Sequence, residues 1–140
     1  MPIYQGQTDS FKVQLLNAQH NFSANTFKIA LYQGSASISN STTAYTSTGE
    51  ANGTGYTAGG NTLTVTQTPT NTGNVAFISF ANTSWSSSTI SAAGALIYNS
   101  SFNNASVAVL NFGSTVTTND QTFNIYFPAD LANSAIIRIS

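Results

Sequence analysis

The sequence contains no cysteine and very little charge. Without cysteine the chain has no disulfide and no thiolate ligand for a metal ion. Lys, Arg, Asp and Glu make up 5% of its 140 residues, and the formal net charge is −1, whereas about a quarter of a typical domain is charged. Because the chain has only three basic residues, it has no cationic surface for a phosphate backbone, and we expect no nucleic-acid partner.

Long apolar runs are also missing from the sequence. No segment reaches the roughly 20 apolar residues that a membrane-spanning helix requires. The first residues, MPIYQGQTDSFK, do not show a charged stretch followed by an apolar one. The sequence therefore predicts neither a membrane span nor a secretory signal peptide.

Apolar and small polar residues make up most of the chain. Hydrophobic residues account for 41% and include nine Phe and six Tyr, which is enough to form the core of one domain. Ser, Thr and Asn account for 55 residues, and a surface of such residues with a net charge near zero favours association. We expect a single β-sandwich domain, residues 10–140, preceded by an extended N-terminal arm, residues 1–9.

The first apolar residues predict a short helix. Asp9 or Ser10 is suited to cap its N-terminus. Phe11, Leu15 and Ala18 then recur at helical spacing. The pattern predicts one amphipathic helix at about residues 10–19.

From residue 26 the apolar residues change to a period of two, which is typical of strands. The predicted strands are residues 26–33, 61–68, 74–80, 88–100, 106–113, 122–128 and 134–140. Gly94 lies inside one of them and indicates a bulge or a close backbone approach. The fold class we predict is mainly β, an antiparallel, jelly-roll-like β-sandwich with one short N-terminal α-helix.

A long polar stretch, roughly residues 34–61, follows the first predicted strand. Its glycines make it rich in turns, and residues 43–47 predict a short strand within it. Loops of this length are usually functional or flexible. The chain also has few of the lysines and prolines that protect sheet edges, so we expect the edges to pair with another copy or another protein.

The inventory of reactive groups is small. The carboxylates Asp9, Glu50, Asp120 and Asp130 lie where caps, turns or a glycine-rich loop explain them, and His20 is the only histidine. There is no nucleophile elbow and no cluster of metal ligands in the sequence. We therefore predict no catalytic residues, no metal and no cofactor, and we expect the chain not to be an enzyme.

Three aromatic residues in polar surroundings allow two interpretations. Tyr45, Tyr56 and Trp85 have rings that could stack on sugars, as in a tail or fibre module that binds host-surface glycans, with Trp85 as the glycan contact. The same amphipathic rings also commonly fasten loops onto a sheet.

Several segments resemble one group of proteins. The segments FKIALYQGSASISNSTTAYTSTGEANGTGYTAGGNTLTVTQ, GALIYNSS, SVAVLNFGS and the closing AIIRI are similar to small structural proteins of tailed bacteriophages. The similarity covers almost the whole chain, and TGYTAGG and GALIYN are its most specific parts. The chain departs from the group in having Asn111 and Thr115 where acidic residues are expected.

The resemblance implies a virion component, a capsid decoration (cement) protein on the outer capsid surface that is made in the host cytoplasm. Its partners would be the major capsid protein and copies of itself, as a trimer or dimer, with no nucleic acid and no membrane. We predict that the arm residues Pro2, Ile3 and Tyr4 and the loop residues Tyr45 and Tyr56 contact these partners, since apolar and aromatic side chains are common interface anchors.

Overall fold

The computed structural model describes residues 3–129, 131 and 134–139. Ten strands and one helix lie in this part of the chain. In chain order they are β1 (Gly6–Gln7), α1 (Asp9–Leu16), β2 (Phe27–Tyr32), β3 (Asn61–Thr62), β4 (Val65–Thr72), β5 (Val75–Phe80), β6 (Thr83–Ser88), β7 (Ser91–Asn99), β8 (Ala105–Thr117), β9 (Gln121–Ile125) and β10 (Ile137–Ile139). The predicted mainly β fold with one short N-terminal helix is confirmed.

The strands form three antiparallel sheets. Their orders are β1-β8-β7-β2-β3, β10-β5-β4 and β6-β9. All three contribute to the larger apolar cluster, for example through Ile29, Ile78 and Trp85. The two smaller sheets therefore share a core with one face of the five-stranded sheet, in the layered arrangement that a sandwich requires.

The other face of the five-stranded sheet is covered by the arm and by the loop after β2. Ile3 of the arm and Ala36 and Ile38 of the loop form a second buried cluster with Leu96 and Val109. Both faces of the central strands are thus covered, which explains why β2 and β7 are apolar almost throughout.

The helix differs from its prediction at both ends. Its N-cap is Thr8, whose hydroxyl accepts the N–H of Phe11 at 3.3 Å, rather than one of the two following residues. It ends at Leu16 instead of residue 19, because Ala18 adopts a left-handed φ of 60° that helical residues do not have. Phe11 is completely buried, while Leu16 is 90% exposed.

The strand predictions missed three features. Residues 43–47 form no strand, and Ala44 makes only an isolated bridge to Ala105. The segment 61–68 divides into β3 and the start of β4, while β1 and β6 were not predicted. A two-residue strand is too short to show a period, and β6 (TSWSSS) has only one large apolar side chain.

Gly94 lies where other parts of the chain approach the backbone of β7 closely, as its position inside a predicted strand indicated. The pairing of β7 with β8 shifts between Ala92 and Gly94. A Cβ atom on Gly94 would lie 2.6 Å from the carbonyl oxygen of Leu110 and 2.9 Å from the Ile3 side chain. The missing side chain therefore allows the arm to pack directly onto the sheet.

Candidate functional site

The loop between β2 and β3, residues 33–60, folds around the buried carboxylate of Glu50. One carboxylate oxygen, Oε1, accepts the hydroxyl of Tyr45 at 2.6 Å. The other, Oε2, accepts the hydroxyl of Tyr56 at 2.6 Å and the N–H of Gly59 at 2.8 Å. Hydrogen bonds to a carboxylate are roughly twice as strong as neutral ones, so Glu50 firmly joins three points of the loop.

Two more tyrosines attach the same loop to the five-stranded sheet. Tyr32 of β2 donates to the carbonyl of Thr46, and Tyr98 of β7 donates to the carbonyl of Gly59, both at 2.6 Å. The ring of Tyr98 also stacks on Tyr45, with 4.9 Å between centroids. We call Glu50, Tyr32, Tyr45, Tyr56 and Tyr98 the Glu50–tyrosine cluster.

The electrostatics of the cluster keep its phenols protonated. Burial raises the pKa of Tyr98 to about 12, with a smaller contribution from the charge of Glu50. Burial also raises the pKa of Tyr45 and Tyr56, and their hydrogen bonds to Glu50 raise it further. These hydroxyls therefore remain donors well above neutral pH, and their hydrogen bonds tie the loop to Glu50 and to the sheet.

The structure brings together two of the residues that the sequence singled out, Tyr45 and Tyr56. Both direct their hydroxyls at Glu50 inside the chain, so their rings act first as loop anchors. The interpretation of Glu50 as a structural residue of the loop agrees with these contacts. The link between the three was missed, although Glu50 is the only glutamate of the chain and lies between the two tyrosines.

The predicted contact residues of the arm have different environments. Pro2 lies outside the described residues. Ile3 is buried and makes a bridge to Ile38 of the loop, so its side chain packs within the chain. Tyr4 is 60% exposed, so its side chain is open to a partner.

Trp85 is a core residue. Its side chain is only 4% exposed, and its ring packs against Tyr56 and Phe123 with centroid distances of 5.9 and 6.1 Å. The prediction of Trp85 as a glycan contact is corrected accordingly, because a buried indole presents no face on which a sugar could stack. The apolar alternation that marks a strand is not visible around Trp85, because its neighbours in β6 are mostly serines.

His20 lies in a second buried polar network, between α1 and β7. Its Nδ1 atom accepts from the side-chain amide of Asn99 at 3.1 Å, so the proton lies on Nε2, which donates to Gln14 at 2.9 Å. The ring packs against Phe11 and Phe102. Burial lowers the pKa of His20 below its usual value of 6.5, and a second ring proton would point at the amide donor.

We expect the protein to lose stability on acidification below pH 6.5, the ordinary histidine pKa. The folded protein takes up the His20 proton at a lower pH than the unfolded chain does. Between these two pKa values the unfolded chain binds more protons, so the free energy of unfolding falls as the pH falls, by at most about 1.4 kcal/mol per pH unit. Urea unfolding at a series of pH values measures this slope.

The control for this prediction is His20→Gln, which keeps a hydrogen-bonding side chain but cannot take up a proton. Its free energy of unfolding should show no step in the same pH window. If the variant loses stability with the same slope as the original chain, groups other than His20 are responsible.

No protein-family model, curated protein or solved structure matches the chain. Within residues 3–129, 131 and 134–139, no helix is long and apolar enough to cross a membrane. The fold and the site thus describe an antiparallel β protein whose longest loop is fixed by a buried carboxylate and four tyrosines.

Proposed function

We propose that this chain is a capsid decoration (cement) protein of a tailed bacteriophage. It would bind major capsid subunits at the outer surface of the virion, associate with its own copies, and brace the lattice through many equivalent weak contacts. The sequence resemblance supports this proposal. So does the engagement of Glu50 and His20 in internal hydrogen bonds, which gives both residues structural roles.

The observation that carries the proposal is the scarcity of charge together with several exposed apolar side chains. The large apolar side chains that remain exposed are Tyr4, Val13, Leu16, Val116, Tyr126, Leu131 and Ile139. The single ion pair of the described residues joins Lys12 to Asp9 at 3.7 Å, and it is exposed and of little energetic weight. Such a surface binds by shape and hydrogen bonding, so capsid binding should be insensitive to salt.

Tyr4 is the arm residue that we assign to the capsid contact. Its neighbours are anchored, because Ile3 is buried and Gln5 accepts the N–H of Asn111 at 3.0 Å. The phenol therefore projects from a fixed backbone, which lowers the entropy cost of binding. The 33–60 loop is also held by internal hydrogen bonds, so its polar groups can make further contacts at a low entropy cost.

The copy number of the protein in purified virions tests the proposal. We expect hundreds of copies per particle by quantitative mass spectrometry, because a decoration protein occupies a repeated lattice site. A dozen copies or fewer would place the protein elsewhere in the virion, and complete absence would contradict a virion role.

The Tyr4 contact is tested with the point substitution Tyr4→Ala. Deletion of the arm is unsuitable, since Ile3 and Thr8 belong to the folded domain. We expect Tyr4→Ala to lower capsid occupancy, while Val13→Ala, which removes an apolar side chain of the same 60% exposure from α1 rather than from the arm, should lower it less. Equal occupancy of both variants and the original chain would contradict the assignment.

The alternative of a glycan-binding tail or fibre module has less support. Its proposed contact, Trp85, is buried, and Tyr45 and Tyr56 use their hydroxyls inside the loop.

A further inference from the structure

An uncharged groove of about 390 Å³ lies beside β9. Leu110 and Phe112 of β8 line it, together with β9 residues and the segment that follows them. Ile136, which immediately precedes β10, lines it as well. No residue of β6 is among those that line the groove, and none of the described lining residues is charged. The groove therefore borders the side of β9 that faces away from β6.

β9 is an edge strand without the usual protection. Among the described residues it pairs only with β6. Lysines, prolines and charged side chains normally prevent edge strands from pairing. The sequence of β9, QTFNI, contains none of them. Tyr126 directly follows the strand and is 74% exposed.

The direction of the backbone groups shows which of them are open. Phe127 donates its N–H to the side chain of Asn82, next to β6, at 2.7 Å. Because backbone groups alternate in direction along a strand, those of Thr122, Asn124 and Tyr126 face away from β6. The open edge thus consists of three positions whose side chains are also exposed.

We propose that two copies of this chain associate through β9. The two strands would pair antiparallel about a two-fold axis and join their sheets into one, β6-β9-β9-β6. Pairing all three open positions centres the axis on Asn124 and places Thr122 opposite Tyr126 of the second copy. Tyr126, which lines the groove of its own chain, then lies beside Thr122 of the second copy.

The charge of this surface argues for a second copy as the occupant. A two-fold interface places each patch against itself, so a patch with a net charge would be repelled by its copy. The groove and β9 carry no charge, and the chain as a whole has a net charge of only −1. Tyr126 itself lines the apolar groove and is 74% exposed, so each copy would bring an aromatic side chain to the interface. This association does not depend on a capsid partner.

Sedimentation equilibrium over a wide dilution series tests the inference. We expect the original chain to be a reversible dimer. Asn124→Pro removes an outward N–H, a change that an edge strand tolerates, and Tyr126→Asp puts like charges into the interface. Each should raise the dimer dissociation constant at least about 30-fold, the size of a hot-spot loss.

Val13→Asp is the matched control, because it adds the same charge at an exposed apolar position of α1. It should leave the dissociation constant unchanged. Should Asn124→Pro fail to fold, as judged by circular dichroism, Tyr126→Asp alone decides. A monomeric original chain, a trimer, or a dimer that survives Tyr126→Asp would each overturn the inference.

Discussion

Glu50→Ala is expected to lower the free energy of unfolding by about 3–4 kcal/mol. The substitution leaves the hydroxyls of Tyr45 and Tyr56 and the N–H of Gly59 without their acceptor. Each buried donor without a partner costs about 1–3 kcal/mol, and the hydroxyl of the half-buried Tyr45 can recover part of this loss from water. Urea unfolding measures the change. Hydrogen exchange should show loss of protection that is concentrated in the 33–60 loop.

Two conservative variants locate the origin of the effect. Tyr45→Phe removes one of the three hydrogen bonds and should cost about 1 kcal/mol. Glu50→Gln keeps the shape and one carbonyl acceptor, so its cost should lie between those of the other two variants. A loss after Glu50→Ala no larger than that after Tyr45→Phe would mean that the carboxylate does not join the loop together.

Gly60→Ala is expected to cost about 3 kcal/mol or more. Gly60 has a left-handed φ of 77°, and a Cβ atom there would overlap the carbonyl oxygen of Ile29. A left-handed conformation costs a residue with a side chain about 1–2 kcal/mol. The overlap with a strand that is fixed in the sheet adds about 1–3 kcal/mol. Thermal or urea unfolding of the variant measures the sum.

Gly73→Ala is the matched control for Gly60→Ala. Gly73 has a similar φ of 60°, but apart from its own and the two adjacent residues no atom lies within 4 Å of the position of its Cβ. Gly73→Ala therefore measures only the cost of placing a side chain in the left-handed conformation, about 1–2 kcal/mol. Equal losses at the two glycines would show that the 33–60 loop can move away from β2 without penalty.

The sequence was sufficient for the fold class because apolar periodicity reports which face of a strand is buried. β2, β5 and β7–β10 lie where the alternation predicts them. Prediction from the sequence failed where tertiary contacts decide the structure. The helix ends early because Ala18 turns the chain so that His20 reaches Asn99, and no local pattern encodes a partner 79 positions away.

The same limit applies to the site. Tyr45 and Tyr56 were conspicuous because large aromatic residues are unusual in a polar loop. Their common acceptor, Glu50, could not be identified without the conformation of the turns between them. Trp85 was misleading for a related reason, since a serine-rich strand resembles a surface loop when the sheet that covers it is unknown.

The attachment of the N-terminal arm to β8 has a consequence for how the chain folds. Thr8 caps α1, yet its hydroxyl also contacts the carbonyl of Ser106, 98 positions away. The hairpin of β7 and β8 needs only local closure, but the arm must wait for β8, and such distant closure slows folding. The arm can contact Ile38 and Asn40 of the loop as soon as these are made, but its pairing with β8 requires that residues 105–109 have left the ribosome.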